Sequence, residues 1–541
     1  MRGHREGLMS NPIESSERAD HLEARANLLI MGALFAASII PMLITPVLPM
    51  IDFYNHMARY FVLSHLDQDP FLAANYAANW SMLPNIGMDI LGTAIFTVLP
   101  KEIAPKIIAI IVIFSIYSGG IAFNRSVTGK FSVPVAILLI PLLYSFILVW
   151  GFTNFLFGLG LALWGAAWWL HNRDRPWLAI PVACGIAILI FFAHGVAFAL
   201  YGLLLGGLEI GLFVASTDRS VSKALKTIAS LSVQAVTPAL LFGFTSTAGA
   251  ADGFTNADES LQRLTSTGGL SDRLMELAVY RLQTIVRVAQ GPNLAFDVTT
   301  FLLTASLLIL LIWRRQISAP RIVWPALGLG ALLIVVVPPA LFGVGYVADR
   351  MPLFLALIFI SSLQIRRPRA VIDKFAMASL VTLVLVRLTF VGLDWAQYRD
   401  RFAEFDAVAR AIPKGSLVAG IDISLDERLV TRPRSEMYGP LLVIQYGQAG
   451  PLFANATQQP IRLVGKLGEA AAGTPKSLGL KNKDAPEFFS RFIEHAQAAG
   501  QYDYILICNA QRLTRPFPRG TAIAARTAQF TLLSLHSAPL R

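Results

Sequence analysis

Long apolar stretches recur from Ala26 onward and cease after Trp395. Most run about 17–25 residues, the length a helix needs to cross a hydrocarbon layer about 30 Å thick with its backbone hydrogen bonds satisfied internally. They cover 26–50, 104–123, 132–149, 151–170, 177–193, 195–215, 225–247, 298–313, 322–341, 351–365 and 372–393. With 55% hydrophobic residues, 15% charged residues and a mean hydropathy of +0.57 over 541 residues, a water-soluble fold is excluded. The pattern predicts a polytopic α-helical membrane protein of about 11–13 spans. The segment Pro84–Pro100 carries Asp89 and is bounded by prolines, so it reads as a re-entrant or interfacial element.

The formal charge of +11 is dispersed among short inter-span loops and forms no basic stripe, which argues against a nucleic-acid partner and for anionic membrane lipids. Arg173 and Arg175, Arg219, Lys223 and Lys226, Arg314, Arg315 and Arg321, and Arg366, Arg367, Arg369 and Lys374 belong inside by the positive-inside rule. The tail 1–25, with Arg2, Arg5, Arg18 and Arg25, joins them as a cytoplasmic N-terminus. Parity then sets Asp52, Trp150–Asn154, His194, Leu341–Arg350 and everything after Trp395 on the external face. The expected division is a transmembrane domain over 26–395, with external loops 51–83 and 248–297, and a small extracytoplasmic α/β domain over 396–541. In that domain Tyr398–Ile412 and Pro486–Ala499 read as helices, and Leu417–Ile421 and Tyr502–Cys508 as strands. A bacterial inner membrane is the expected location. Leu270, Leu274, Leu277 and Val288 repeat at helical spacing and predict a second interfacial helix, either a lid over a cavity or a packing element.

Chemistry-bearing motifs are few. Cys184 and Cys508 stand alone, with no CxxC or Cys/His ligand spacing, and no GxGxxG, Walker, GxSxG or HExxH pattern occurs. No metal or cofactor is expected, and the C-terminal domain reads as a capture or docking module. Glu209 and Arg387 lie well inside spans, but an ion-coupled transporter would carry more such groups in two related halves.

One polar cluster stands out immediately after the first span: Asp52-Phe53-Tyr54-Asn55-His56-Met57-Ala58-Arg59. On a helix, Asp52, His56 and Arg59 at i, i+4 and i+7 share one face beside an apolar stripe of Phe53, Met57 and Tyr60. A plainer alternative makes Asp52 an N-cap and lets Arg59 snorkel to lipid phosphates. Further along, His194 sits at an external boundary among apolar neighbours, where a lone histidine is more often a hydrogen-bonded structural residue than a ligand. Arg350 begins a span either as a guanidinium that clamps a phosphate or as a snorkelling residue beside a helix-start Asp349. Trp150–Phe155 forms a tight external turn, read as an interfacial turn with small-residue packing at Gly158 and Gly160.

This arrangement resembles the GT-C class of membrane glycosyltransferases, which includes lipid A aminoarabinose transferases and protein O-mannosyltransferases. The shared features are an acidic juxtamembrane helix after the first span, many spans and an external C-terminal domain. The resemblance implies that Asp52 is the general base on an acceptor hydroxyl while a polyprenyl phosphate departs. His56, Arg59, Arg350 and His194 become candidates for substrate and phosphate binding. Many members carry paired first-loop acids or an acid in the second external loop; here Trp150–Asn154 has none, so metal-independent transfer is expected. The implied reaction moves a sugar from a polyprenyl-phosphate-linked donor to an envelope glycan, lipid or protein. Two other readings remain open: a transporter or flippase of a lipid-linked glycan, and a non-catalytic anchor for the C-terminal domain.

Overall fold

The computed structural model describes residues 12–245, 270–289, 291, 293–341, 345–423, 437–454, 458–473, 485–513 and 515–536. The start of the N-terminal tail, 1–11, and residues 248–269, 290 and 292 of the loop 248–297 lie outside these residues.

Each predicted span contains a helix among the described residues. α1 (Pro12–Ser38) and α2 (Ile40–Ile44) form the first. After α3 (Phe53–His65), α4 (Pro70–Asn75), β1 (Tyr76–Ala78) and α5 (Gly87–Val98) come α6 (Ala104–Thr128), α7 (Val133–Leu143) and its continuation α8 (Phe146–Trp150). α9 (Thr153–Asn172), α10 (Pro176–Ala193), α11 (Gly195–Ala215), α12 (Val221–Gly243), the amphipathic α13 (Leu270–Val286) and α14 (Leu294–Trp313) follow. α15 (Trp324–Val336), α16 (Val347–Ser361) and α17 (Val371–Ala409) complete the bundle. Among the described residues nine helical segments are long and apolar enough to cross a membrane, and α15 and α16 are shorter. α5 is only 12 residues, roughly 18 Å at the helical rise, so it does not span. α6 and α9 pack closely, and a Cβ on Gly160 would lie 2.2 Å from Ser115 Oγ; small residues let the backbones approach.

The charge-parity grouping matches the ends of the bundle. At one end Arg173 pairs with Glu209 at 2.8 Å, Arg314 pairs with Asp373, and the short strands β2 (Ile317–Ser318) and β3 (Gln364–Ile365) join two basic loops. The segments containing Asp52, Trp150, His194 and Arg350 meet at the other end.

The expected break near residue 395 is absent. α17 runs 39 residues without interruption, because no glycine or proline falls between Leu393 and Pro413 to stop it. The last span and the predicted helix from Tyr398 are therefore one rod. Its C-terminal half packs under a four-stranded sheet of order β4-β6-β8-β7, made of β4 (Val418–Asp422), β6 (Tyr504–Cys508), β7 (Ala522–Arg526) and β8 (Phe530–Ser534). β4 and β6 pair in parallel and the others antiparallel. Phe405 of α17 sits 4.7 Å from the Tyr438 ring and 5.9 Å from that of Phe530. α20 (Ala485–Ala499) occupies the predicted 486–499 helix.

The C-terminal region is also tied to the segment that follows the first span. α18 (Tyr438–Tyr446) packs on α3, and α19 (Gly465–Gly473) on α4. β1 pairs antiparallel with β5 (Ile461–Leu463), in the register Tyr76↔Leu463 and Ala78↔Ile461. Tyr76 Oη donates to Gly450 O at 2.7 Å and accepts from Gly450 N at 2.9 Å. Lys101 Nζ donates to Gln445 O at 2.8 Å. A purely capture or docking role for this domain is thus too narrow, because it braces the helix that carries Asp52.

Candidate active site

Backbone contacts place α3. Ile51 N donates to Val149 O and Asp52 N to Trp150 O, both at 2.9 Å, so the chain entering α3 lies against the turn at 150–152. Gly151 makes this approach possible: its φ is +86°, and a Cβ there would lie 2.4 Å from Phe53 N. The turn read as interfacial is therefore the seat of α3.

Asp52 precedes α3 with helical dihedrals (φ −81°, ψ −11°), and its carboxylate caps no amide of the first turn. An N-cap residue is normally extended and accepts from N2 or N3, so capping does not explain this acid. From Ile51 to Tyr60 only Asp52 and His56 keep partial exposure, and they stand one turn apart.

Arg59 lies beneath them with 1% exposure. Its Nε donates to Asp89 Oδ1 at 2.5 Å, and its Nη2 faces His56 Nδ1 at 2.9 Å. Asp89, on α5, is itself 1% exposed. Two of the guanidinium nitrogens expected to meet substrate or lipid phosphate are thus engaged inside the protein. Burial first, and the Arg59 charge second, push the His56 imidazole well below 6.5 and keep it neutral. Tyr60 Oη donates to Asn154 Oδ1 at 3.4 Å, and Asn154 Nδ2 to Asn85 O at 2.8 Å, joining α3, α9 and the approach to α5.

Arg350 and His194 form the second half. Arg350 is 3% exposed in the first turn of α16 and stands 4.6 Å over the Phe152 ring and 5.1 Å over that of Phe155. Its neighbour Asp349 bonds instead to Arg287 and, at 3.4 Å, to Tyr280 Oη, both contributed from α13 and the turn after it. Arg350 Nη2 reaches Gly345 O at 3.3 Å, and its buried Nε has no hydrogen-bond partner among the described residues. Asp52 is near enough for its charge to act on Arg350. Arg350 Nη1 lies 3.0 Å from His194 Nε2, while His194 Nδ1 accepts the Val196 amide at 3.1 Å and so caps α11. A neutral imidazole has one acceptor nitrogen. Donors face both ring nitrogens of His194, so a neutral ring accepts from only one of them, and the Arg350 guanidinium keeps hydrogen-bonding capacity at its Nε among the described residues. Tyr346, just before α16, is held at φ 56° with its ring 4.3 Å from that of Trp150.

An apolar cleft of about 440 Å³ opens beside His194, walled by Val196, Leu203, Leu333 and Met351. Glu209 and Arg387 belong elsewhere: Glu209 accepts from Trp169 Nε1 and Arg173, and Arg387 pairs with Asp297 at 3.1 Å. Among the described residues no cluster of three or more His, Cys, Asp or Glu is arranged to hold a metal ion. Sequence reasoning missed Asp89 as a partner of Arg59; its signal was an acid alone in an apolar segment. Pairing across 30 residues left no local pattern.

No protein-family model matches the sequence, and no curated protein matches it. Among solved structures, the chain is similar to ArnT from Cupriavidus metallidurans, determined bound to undecaprenyl phosphate. The TM-score is 0.50 and the identity 12%, with 94% of this chain and 98% of that one covered. This likeness over nearly the whole length, together with the apolar helices and the C-terminal sheet, shows that the chain has the GT-C fold.

Proposed function

We propose that this protein transfers a sugar from a polyprenyl-phosphate-linked donor to a hydroxyl of an envelope glycan, lipid or protein at the extracytoplasmic face of a bacterial inner membrane. Asp52 takes the proton of the acceptor hydroxyl. The acceptor oxygen bonds to the anomeric carbon, the bond from that carbon to the phosphate oxygen breaks, and polyprenyl phosphate leaves with both electrons. Arg350 and His194 hold the phosphate, offsetting the charge that grows on it. The cleft beside His194 suits a prenyl chain, and the bound lipid of the ArnT structure is of the same chemistry. The reaction is proposed to be metal-independent. The observation that carries this reading is the placement of a partly exposed, non-capping carboxylate within electrostatic reach of the buried Arg350 guanidinium, which also contacts His194.

The test is a mass-spectrometric profile of envelope glycans and polyprenyl-linked sugars in cells lacking the protein. Loss of one glycan with accumulation of its lipid-linked donor, reversed by the wild-type gene, is the expected result; an unchanged profile removes the proposal. In purified protein, Arg350→Gln is expected to raise the donor KM by about 10–100-fold, the worth of one or two charge-assisted hydrogen bonds. An unchanged donor KM would place the phosphate elsewhere.

A further inference from the structure

The proposed reaction leaves Asp89 unused, yet it is the buried end of a chain of contacts that reaches the open side of α3. Arginine has only donors. At 2.9 Å from Arg59 Nη2, His56 Nδ1 therefore has to accept, which excludes an imidazolium and excludes the tautomer protonated on Nδ1. The remaining proton is on Nε2, at the ring edge away from Arg59. Arg59 is in turn held by its Nε on Asp89 at 2.5 Å, with both side chains almost wholly buried. His56 keeps partial exposure on the same side as Asp52, one turn along.

We infer that Asp89 and Arg59 are positioning residues that lock His56 as a neutral Nε2–H donor, aimed at a hydroxyl or phosphate oxygen of the substrate beside Asp52. His56 then acts by donating a hydrogen bond and not by carrying charge, and its orientation is set from a helix that never touches substrate. The same logic governs metal-bound histidines, where the partner of one ring nitrogen decides what the other offers. The donor role rests on the transferase reading, whereas the tautomer lock does not.

The experiment uses full-length protein in lipid nanodiscs with ¹⁵N-labelled histidine, the His56 resonances being identified by their loss in His56→Gln. Eight histidines keep the spectrum tractable. The expected result is one species with Nδ1 bare and Nε2 protonated in the wild type, and a mixture of tautomers in Asp89→Asn. A wild-type His56 protonated on Nδ1, or on both nitrogens, overturns the lock. The same single tautomer in Asp89→Asn removes Asp89 from it. If Asp89→Asn does not fold, Arg59→Lys, which keeps the charge without the planar fork, is read in the same way.

A kinetic arm tests the donor. His56→Gln places an amide N–H near the former Nε2, and His56→Asn places one near Nδ1. Gln is expected to retain about tenfold more kcat than Asn, and equal losses overturn the donor role. Absence of transfer in the wild type would defeat the transferase reading, while the spectra would still decide the lock.

Discussion

Asp52→Asn is expected to lower kcat by about 10²–10⁴-fold, the usual contribution of a positioned general base, with little change in donor KM. The substitution is isosteric, and because the carboxylate caps no amide of α3, the helix loses no capping bond. A loss confined to kcat would therefore report proton abstraction and not folding. Asp52→Glu keeps the base but moves it by about 1 Å, a displacement that can itself cost about 10²-fold. Full activity in Asp52→Asn would defeat the transferase mechanism. A changed sidedness of a lipid-linked glycan with intact product chemistry would favour the flippase reading.

The second large effect is expected at a glycine. Gly151→Ala places a methyl 2.4 Å from Phe53 N at a φ of +86°. The left-handed backbone costs an alanine about 1–3 kcal/mol, and the overlap a further ~1–3 kcal/mol. Phe53 N belongs to the chain as it enters α3, so relief means pushing α3 off its seat and breaking the amide bonds of Ile51 and Asp52 to Val149 and Trp150. We expect a lowered Tm together with a collapse of kcat. Gly129→Ala is the control: its φ is +78°, but its Cβ would meet nothing within 4 Å, so it carries backbone strain alone. Equal behaviour of the two variants would show that the close approach to Phe53 does not matter.

The spans were legible because length and apolarity are local properties, and each predicted stretch contains a helix among the described residues. Asp52 and His56 were legible as a pair because helical spacing places them together. What lay at Arg59 was not, because a guanidinium reads the same in sequence whether it points to lipid or to a buried acid 30 residues away. The continuity of α17 was hidden by a change from apolar to polar residues, which marks where the membrane ends and says nothing about where a helix does. Three-residue strands such as β1 and β5 carry no usable periodicity, and their pairing is visible only in three dimensions. The capping alternative for Asp52 could be set aside only once its dihedrals were known.

The bracing of the segment after the first span by β5 and Gly450 has a consequence for the protein's birth. Tyr76 meets its hydrogen-bond partner 374 residues later in the chain. Chains fold largely from the N-terminus as they are made, and contacts of long sequence separation form last. A nascent molecule can therefore have all its spans inserted and still present α3 without its brace. Competence for chemistry would arrive only after the C-terminal sheet had folded and β5 had docked on β1, which makes a late folding step the switch that turns the site on.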